Sequence, residues 1–265
     1  MTRNKISWCL GPDGAPGFSW NPSCGCGPVS AGCVHCWAAR LASTRLAHLP
    51  EYKGLAKDGK WIKGARFIER RLGEPHFRSK PAGICVSLMG DLWHEDISDA
   101  FIREVFRTMG ACSWHRFYLL TKRPERQRAF IAGITGEGWP LQNLWLGVSI
   151  EDQPTADERI PELLQTLAVV RFVSYEPALG PVDFCANAKQ EWKPGSPELD
   201  LVIMGCESGP GARPMEDDWA RLVRTQCQRA DCAFYLKQAM RNGKLDHEPM
   251  LDGRTWREMP KGGDR

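Results

Sequence analysis

Four cysteines fall close together near the start of the chain: Cys24, Cys26, Cys33 and Cys36. The last three are spaced C-x6-C-x2-C, with glycines at positions 25, 27 and 32. Thiolates bind soft metals and iron–sulfur clusters, and a loop that contains glycines can wrap several thiolates around one centre. Three thiolates leave one iron of a [4Fe–4S] cluster without a protein ligand, whereas a fourth from Cys24 completes a closed tetrahedral zinc site. The spacing predicts a metal centre and leaves both alternatives open.

The rest of the composition is that of a soluble globular chain. Of 265 residues, 42% are hydrophobic and 25% are charged. There is no apolar run long enough for a membrane span or a secretory signal, so we expect a cytoplasmic protein. In a reducing compartment, clustered cysteines indicate metal or redox chemistry rather than disulfides. The remaining cysteines are scattered, and we interpret several of them, which sit in apolar stretches, as small core residues: they are drawn from Cys9, Cys85, Cys112, Cys185, Cys206, Cys227 and Cys232.

Positive charge is concentrated in one segment. Residues 40–80 hold eleven Lys and Arg against four Asp and Glu, although the net charge of the whole chain is only +3. Aromatic residues are interleaved with these cations, a composition that favours nucleic-acid binding. A solvated, helix-rich insertion explains the segment equally well. We therefore predict one domain, 1–265, with a basic insertion at about 45–80 and a polar C-terminal tail at about 243–265.

Short apolar runs alternate with amphipathic stretches along the chain. The runs predict buried strands at 84–89, 116–120, 144–148, 169–173, 201–204 and 233–236. The amphipathic stretches predict helices at about 37–48, 98–109, 124–134, 156–167 and 218–230, with Ser98 as an N-cap and Pro124 in a first turn. Continuously apolar strands separated by helices are typical of an α/β fold with a parallel sheet, either a barrel or a doubly wound sheet. A polar loop is expected at 186–197.

Polar residues follow each of the six predicted strands. In parallel β/α folds the active site lies at the carboxyl ends of the strands, so these residues predict a composite site. They are Asp91, Lys122, Arg123, Ser149, Glu151, Ser174, Tyr175, Glu176, Glu207, Lys237 and Gln238.

Longer segments give the chain a specific family resemblance. It is similar to the three-cysteine-motif branch of the radical S-adenosylmethionine superfamily, a branch common in phages and bacteria and long classed as of unknown function. Over roughly residues 5–240, the segments that carry the resemblance are Trp20-Asn21-Pro22, Cys26-x6-Cys33-x2-Cys36-Trp37-Ala38, Gly90-Asp91-Leu92-Trp93-His94-Glu95, Leu120-Thr121-Lys122-Arg123-Pro124, Gly147-Val148-Ser149-Ile150-Glu151, Ser174-x-Glu176-Pro177-x2-Gly180-Pro181, Gly205-x-Glu207-Ser208-Gly209-Pro210-Gly211-Ala212-Arg213-Pro214 and Phe234-x2-Lys237-Gln238.

The resemblance implies a partial (β/α)6 TIM-type barrel of the radical S-adenosylmethionine kind. It implies a [4Fe–4S] cluster on Cys26, Cys33 and Cys36, with S-adenosylmethionine across the strand ends and chelating the open iron. The expected activity is reductive cleavage of S-adenosylmethionine to a 5′-deoxyadenosyl radical, with an external flavodoxin- or ferredoxin-type electron donor. The basic segment and the phage-like family suggest a nucleobase, nucleotide or DNA-linked substrate. The expected reaction is base modification or isomerisation, as in phage DNA hypermodification, in the cytoplasm of the host if a phage encodes the protein.

Chemistry then assigns candidate roles to individual side chains. Asp91 would bind the ammonium group of the cofactor, Lys122 or Arg123 its carboxylate or a substrate phosphate, and Ser149 and Glu151 its ribose hydroxyls. Ser174 is a further cofactor-binding candidate. Glu176 and Glu207 would face substrate or cofactor, or form ion pairs inside the barrel. Cys206 would donate a hydrogen atom or pack as inert core. Tyr175 would relay a radical, and His94 and Glu95 would move protons or serve as caps or surface residues.

The main competing hypothesis is a non-enzymatic, zinc-dependent nucleic-acid-binding module with a structural four-cysteine site. It accounts for the basic segment but leaves the polar residues at six strand ends unexplained. A hydrolase on a β/α barrel ranks last, because the chain lacks a nucleophile elbow and its six histidines are scattered.

Overall fold

The computed structural model describes residues 1–134, 136, 138–184 and 199–260. Its α-helices are α1 (Trp37–Ser43), α2 (Asp99–Ala111), α3 (Pro124–Ala132), α4 (Gln153–Leu164) and α5 (Asp217–Arg229). Its strands are β1 (Thr2–Arg3), β2 (Gly17–Trp20), β3 (Ser23–Cys24), β4 (Ala56–Lys57), β5 (Lys60–Trp61), β6 (Arg66–Phe67), β7 (Gly83–Val86), β8 (Arg116–Thr121), β9 (Leu144–Ile150), β10 (Val170–Tyr175), β11 (Leu201–Gly205), β12 (Ala233–Arg241), β13 (Lys244–Asp246), β14 (Met250–Leu251) and β15 (Arg254–Thr255). Short 3-10 turns lie at Pro12–Gly14, Ala31–Cys33, Glu69–Arg71 and Glu74–Phe77.

A mixed α/β fold is organised around one large sheet of nine strands. Its order, β1-β2-β7-β8-β9-β10-β11-β12-β13, follows the chain throughout, without the reversal of a doubly wound sheet. Strands β2 and β7 to β12 are parallel, and the two edge strands pair antiparallel to them. All six predicted strands are confirmed. The parallel strand β2 was not predicted, because its four residues include a Gly and a Ser and form no apolar run.

Both faces of this sheet are buried, which explains why its strands read as continuous apolar runs. On one face the strands pack under α2 to α5. On the other face a second cluster surrounds Trp8, whose ring lies 5.5 Å from that of Tyr118 and 5.9 Å from that of Phe172 between centroids. The packing is close: a Cβ on Gly147 would lie 2.5 Å from the Phe172 ring.

The helix starts follow from local sequence. Ser98 caps α2 by accepting a hydrogen bond from the Phe101 amide at 3.3 Å, and Pro124 opens α3, both as predicted. A capping box that sequence reasoning did not identify opens α4, where Asp152 accepts from the Thr155 amide at 3.0 Å. Helices α3 and α4 thus begin directly after β8 and β9, whereas α2 begins after a longer loop that follows β7.

The basic insertion is not helix-rich, and that interpretation is wrong. The helix that follows the cysteines ends at Ser43 rather than near residue 48, and residues 44–80 form turns, the β4–β5 hairpin and strand β6, which pairs with β3. The insertion closes over its own small core, in which Cys24, Tyr52 and Leu55 are buried. Gly54, Gly59, Gly64 and Gly73, together with Pro50 and Pro75, interrupt the segment and disfavour helices there.

Most of the C-terminal tail is packed against the sheet. Strand β13 pairs with β12, and the Leu236 amide of β12 donates to the Trp256 carbonyl at 2.9 Å. Cys9, Cys85, Cys112, Cys206, Cys227 and Cys232 are buried, as predicted. Cys185, the expected loop 186–197 and residues 261–265 lie outside the described residues. No helix in the described ranges is long and apolar enough to cross a membrane.

Candidate functional site: a cysteine loop over the strand ends

A cavity of about 490 Å³ opens at the carboxyl ends of the parallel strands, between them and the cysteine loop, residues 24–36. The structure brings most of the predicted site residues together, because they line this one space. Those residues are Cys26, Cys33, Cys36, Asp91, Lys122, Arg123, Ser149, Ser174, Glu176, Cys206, Glu207, Lys237 and Gln238.

Three cysteines of the loop face the cavity and the fourth does not. Cys26, Cys33 and Cys36 are free, partly exposed thiols on the cavity wall. Cys24 is fully buried in the core of the insertion, where its thiol donates to the Glu51 carbonyl at 3.4 Å. Within the described ranges no three His, Cys, Asp or Glu side chains are gathered as a metal-ligand set. The loop therefore places three cysteines on the cavity wall, but these three thiols are not gathered around one point.

Arg123 fixes one end of the loop. Its guanidinium donates to the Cys26 thiol at 3.4 Å, to the Gly27 carbonyl at 3.1 Å and to Asp91 at 3.1 Å. Asp91 also accepts from the Thr121 hydroxyl at 2.9 Å, so its carboxylate already holds the turn after β8. Burial raises the pKa of Cys26 to about 11, and Asp91 adds to this rise while Arg123 opposes it. Asp91 is thus placed to position Arg123 rather than standing free for a ligand.

Glu151 supports the middle of the loop from below. It is fully buried, accepts from the Ser30 hydroxyl at 2.9 Å, and forms ion pairs with Lys122 and with Arg159. A Cβ on Gly32 would lie 2.5 Å from the Glu151 side chain, so glycine is required for this close approach. The carboxylate predicted to bind ribose hydroxyls is committed to these partners.

Lys122, which pairs with Glu151, affects the pKa of the neighbouring Cys33 thiol. Burial lowers the pKa of Lys122 to about 8, against the opposing effect of Cys33. Burial would raise the pKa of Cys33, but the Lys122 charge and hydrogen bonds from the loop backbone outweigh it, and the pKa is lowered. The loop therefore favours the thiolate form at Cys33 more than at Cys26.

Glu207 and Arg213 hold the other end of the loop. Glu207 accepts from the Arg213 side chain and backbone, each at 2.9 Å, and lies 2.9 Å from the His35 ring nitrogen. The guanidinium reaches on to the Ala31 carbonyl at 3.0 Å. Although burial opposes it, hydrogen bonding to Arg213 lowers the pKa of Glu207 to about 2. This carboxylate forms an ion pair within the fold, the second of its two predicted roles.

The wall opposite the loop is polar. Lys237 lies 2.6 Å from one oxygen of Glu176, and the Ser174 hydroxyl donates to the other at 3.2 Å. The Ser149 hydroxyl donates to the Glu176 carbonyl at 3.3 Å. Cys206 is 2% exposed, and burial raises the pKa of its thiol to about 11. Its S–H therefore stays protonated at neutral pH, on the cavity wall.

Other sequence candidates lie outside the cavity. Tyr175 is fully buried under the helices on the opposite face of the sheet, because it alternates with Ser174 along β10, so the predicted radical relay would have to cross the sheet. His94 is buried, and burial lowers its pKa, which keeps it neutral. Glu95 is exposed and does not line the cavity.

Four positioning residues were missed from the sequence: Ser30, His35, Arg159 and Arg213. Arg213 stands inside a segment that carries the family resemblance, which was the available signal. The others lie on a loop and a helix face, where nothing in the sequence indicates which distant carboxylate they approach.

Comparison with known proteins identifies the family of this chain, but that family has no established function. A family described as "Protein of unknown function (DUF5131)" matches residues 3–260. The chain matches no curated protein and no solved structure. Because the family match includes the cysteine loop, every strand end and most of the tail, the chain belongs to this DUF5131 family of unknown function.

Proposed function

We propose that this chain is a radical S-adenosylmethionine enzyme, in which Cys26, Cys33 and Cys36 hold a [4Fe–4S] cluster beside the cavity. The observation that carries the proposal is the placement of the loop cysteines: Cys26, Cys33 and Cys36 line the cavity, whereas Cys24 is fully buried in the core of the insertion, against which Cys36 also packs. A three-thiol donor set suits a cluster with one iron left for a non-protein ligand.

The shape of the sheet supports a partial β/α barrel of the kind expected, in which β2 adds a seventh parallel strand to the six that were predicted. Adjacent strands lie about 4.8 Å apart, so the ends of six strands in a flat sheet would extend over about 24 Å. One cavity nevertheless touches residues from Ser87 after β7 to Lys237 in β12. A sheet that curls around this space, with its strands in chain order, accounts for both facts.

The donor set fits the cluster chemically, and the surrounding residues would hold and shield it. When bound, the cluster supplies the electron that cleaves S-adenosylmethionine to a 5′-deoxyadenosyl radical, after reduction by an external flavodoxin- or ferredoxin-type donor. Arg123 positions the Cys26 thiolate, while Lys122 offsets negative charge beside Cys33. Below them, Glu151 keeps the loop seated.

The opposite wall would serve the cofactor and the substrate. Ser149, Ser174 and the Glu176–Lys237 pair present hydroxyl and charged groups to S-adenosylmethionine and substrate polar atoms. Cys206 would supply a hydrogen atom to a substrate radical, since its thiol is protonated and faces the cavity. We further propose a nucleobase, nucleotide or DNA-linked substrate that undergoes base modification or isomerisation in the cytoplasm.

Metal content separates this proposal from a zinc module held by four cysteines. We expect Cys33→Ser to lose the brown colour and most of the iron of the anaerobically reconstituted protein, while Cys24→Ser keeps both, because Cys33 lines the cavity and Cys24 does not. Iron and zinc are measured per chain alongside the visible absorption spectrum. A colourless protein with about one zinc per chain, lost equally from both variants, would contradict the proposal.

A further inference from the structure

We propose that the β4–β5 hairpin and Trp37 form a docking surface for single-stranded nucleic acid at the mouth of the cavity. This inference rests on the proposed function only for what happens to the docked strand. Binding itself requires neither the cluster nor S-adenosylmethionine, so it can be tested separately.

Unpaired positive charge is concentrated on the hairpin. Lys57 and Lys60 are cross-strand partners in the β4–β5 pairing, and Lys63 follows two residues after β5. All three side chains are exposed, and none forms an ion pair within the part of the chain that the structure describes. Lysines in this state bind phosphates by displacing counterions, whereas lysines already paired with carboxylates do so less readily.

Two tryptophans connect the hairpin to the cavity. Trp37, the first residue of α1, is 47% exposed, and Trp61 ends β5. Both line the cavity. Trp37 offers an exposed indole and Trp61 a partly buried one. Single-strand binding depends on stacking against such rings together with contacts between cations and the backbone.

The hairpin is held in this place by the helix that follows the cysteines. The Gly59 amide at the hairpin turn donates to the Ser43 hydroxyl at the end of α1, at 3.0 Å. Hairpin and cysteine loop are thus anchored on opposite ends of one helix. Lys57 and Lys60 alternate with Ala56 and Trp61 along the hairpin, so they project from the face opposite to Trp61. A strand that contacts both the lysines and Trp61 would therefore cross the edge of the hairpin.

The Lys and Arg side chains that line the cavity are already in ion pairs, which favours a nucleic-acid strand over a free nucleotide as the ligand. Lys122, Arg123 and Lys237 line the cavity, but they are paired with Glu151, Asp91 and Glu176 respectively. Inside the cavity, then, the positive charges that could take a nucleotide phosphate are already neutralised. The unpaired lysines of the hairpin do not line the cavity, so only a neighbouring phosphate of a longer chain would reach them.

The test is fluorescence anisotropy of a labelled oligothymidylate titrated with the full-length reconstituted protein over a series of salt concentrations. The variant Lys57→Ala/Lys60→Ala/Lys63→Ala should reduce the salt slope by about 2, from about 0.7 per lost phosphate contact. Extrapolated from 1 M to 0.15 M salt, this corresponds to about fifty-fold weaker binding. Trp37→Ala should weaken binding about tenfold with an unchanged salt slope, because it removes stacking and no charge.

A matched control removes the same charge elsewhere: Arg3→Ala/Lys80→Ala/Arg229→Ala, three exposed cations on β1, before β7 and at the end of α5. This variant should bind almost as the parent does. Equal weakening by both triple variants, no measurable binding by the parent, or tighter binding of a duplex than of the single strand would each overturn the inference. Iron content of each variant shows independently whether the cluster loop remains intact.

Discussion

Removal of Arg213 should destabilise the fold in a pH-dependent way. In the folded protein the pKa of Glu207 is lowered to about 2 from its usual 4.5, and hydrogen bonds from Arg213 are the largest cause of that lowering. A shift of this size corresponds to at most about 3–4 kcal/mol. Because the Arg213 side chain is 31% exposed, solvent screening reduces the expected loss for Arg213→Ala to about 2 kcal/mol at pH 7.

The direction of the pH effect follows from the sign of the shift. A carboxylate whose pKa is lowered on folding stabilises the native state above its usual pKa and loses that contribution as the pH falls from about 4.5 towards 2. Parent and Arg213→Ala should therefore differ most at neutral pH and converge on acidification. The expected difference in melting temperature at pH 7 is roughly 4 to 8 °C.

Urea unfolding followed by tryptophan fluorescence, from pH 7 down to the lowest pH at which the parent stays folded, measures this difference. Arg107→Ala is the matched control, because it breaks an Arg–Glu pair whose side chains are 71% and 48% exposed. We expect that control to cost no more than about 0.5 kcal/mol. Equal losses of stability in the two variants, or a loss for Arg213→Ala that grows as the pH falls, would refute this account of the Glu207–Arg213 ion pair.

Two glycine substitutions test close packing at and below the site. Gly32→Ala should lower the iron content of the reconstituted protein while leaving it folded, because the new Cβ would lie 2.5 Å from Glu151 and displace the loop; Gly136→Ala, with nothing within 4 Å, is the control. Gly147→Ala should cost about 1–3 kcal/mol in urea unfolding, because its Cβ would meet the Phe172 ring at 2.5 Å. Unchanged iron in the first variant, or unchanged stability in the second, would contradict these packing arguments.

Sequence patterns predicted the main sheet well because its strands are buried on both faces. Continuous apolar runs such as β9, in which all seven residues are buried, mark such strands without any need for periodicity. Four-residue β2 gives no such signal, although it joins the same sheet. The strands of the insertion were harder still to predict from the sequence, since these short strands are held by long-range contacts rather than by local propensity.

For the site, the sequence indicated which residues lie at the same edge of the sheet, but not their hydrogen-bond and ion-pair partners. Side chains at carboxyl ends of parallel strands must share one edge, and Asp91 and Glu207 do so. Their partners, Arg123 and Arg213, depend on how the cysteine loop folds over that edge. The placement of Cys24 in a separate core likewise depends on tertiary packing, which its spacing from Cys26 does not reveal.

The most direct test of the central claim is the formation of 5′-deoxyadenosine. Protein purified and reconstituted without oxygen is reduced with dithionite, given S-adenosylmethionine, and assayed by mass spectrometry, with Cys33→Ala in parallel. We predict 5′-deoxyadenosine from the parent and none from the variant. No product from a parent protein that carries its full complement of iron would contradict the assignment of this chain as a radical S-adenosylmethionine enzyme.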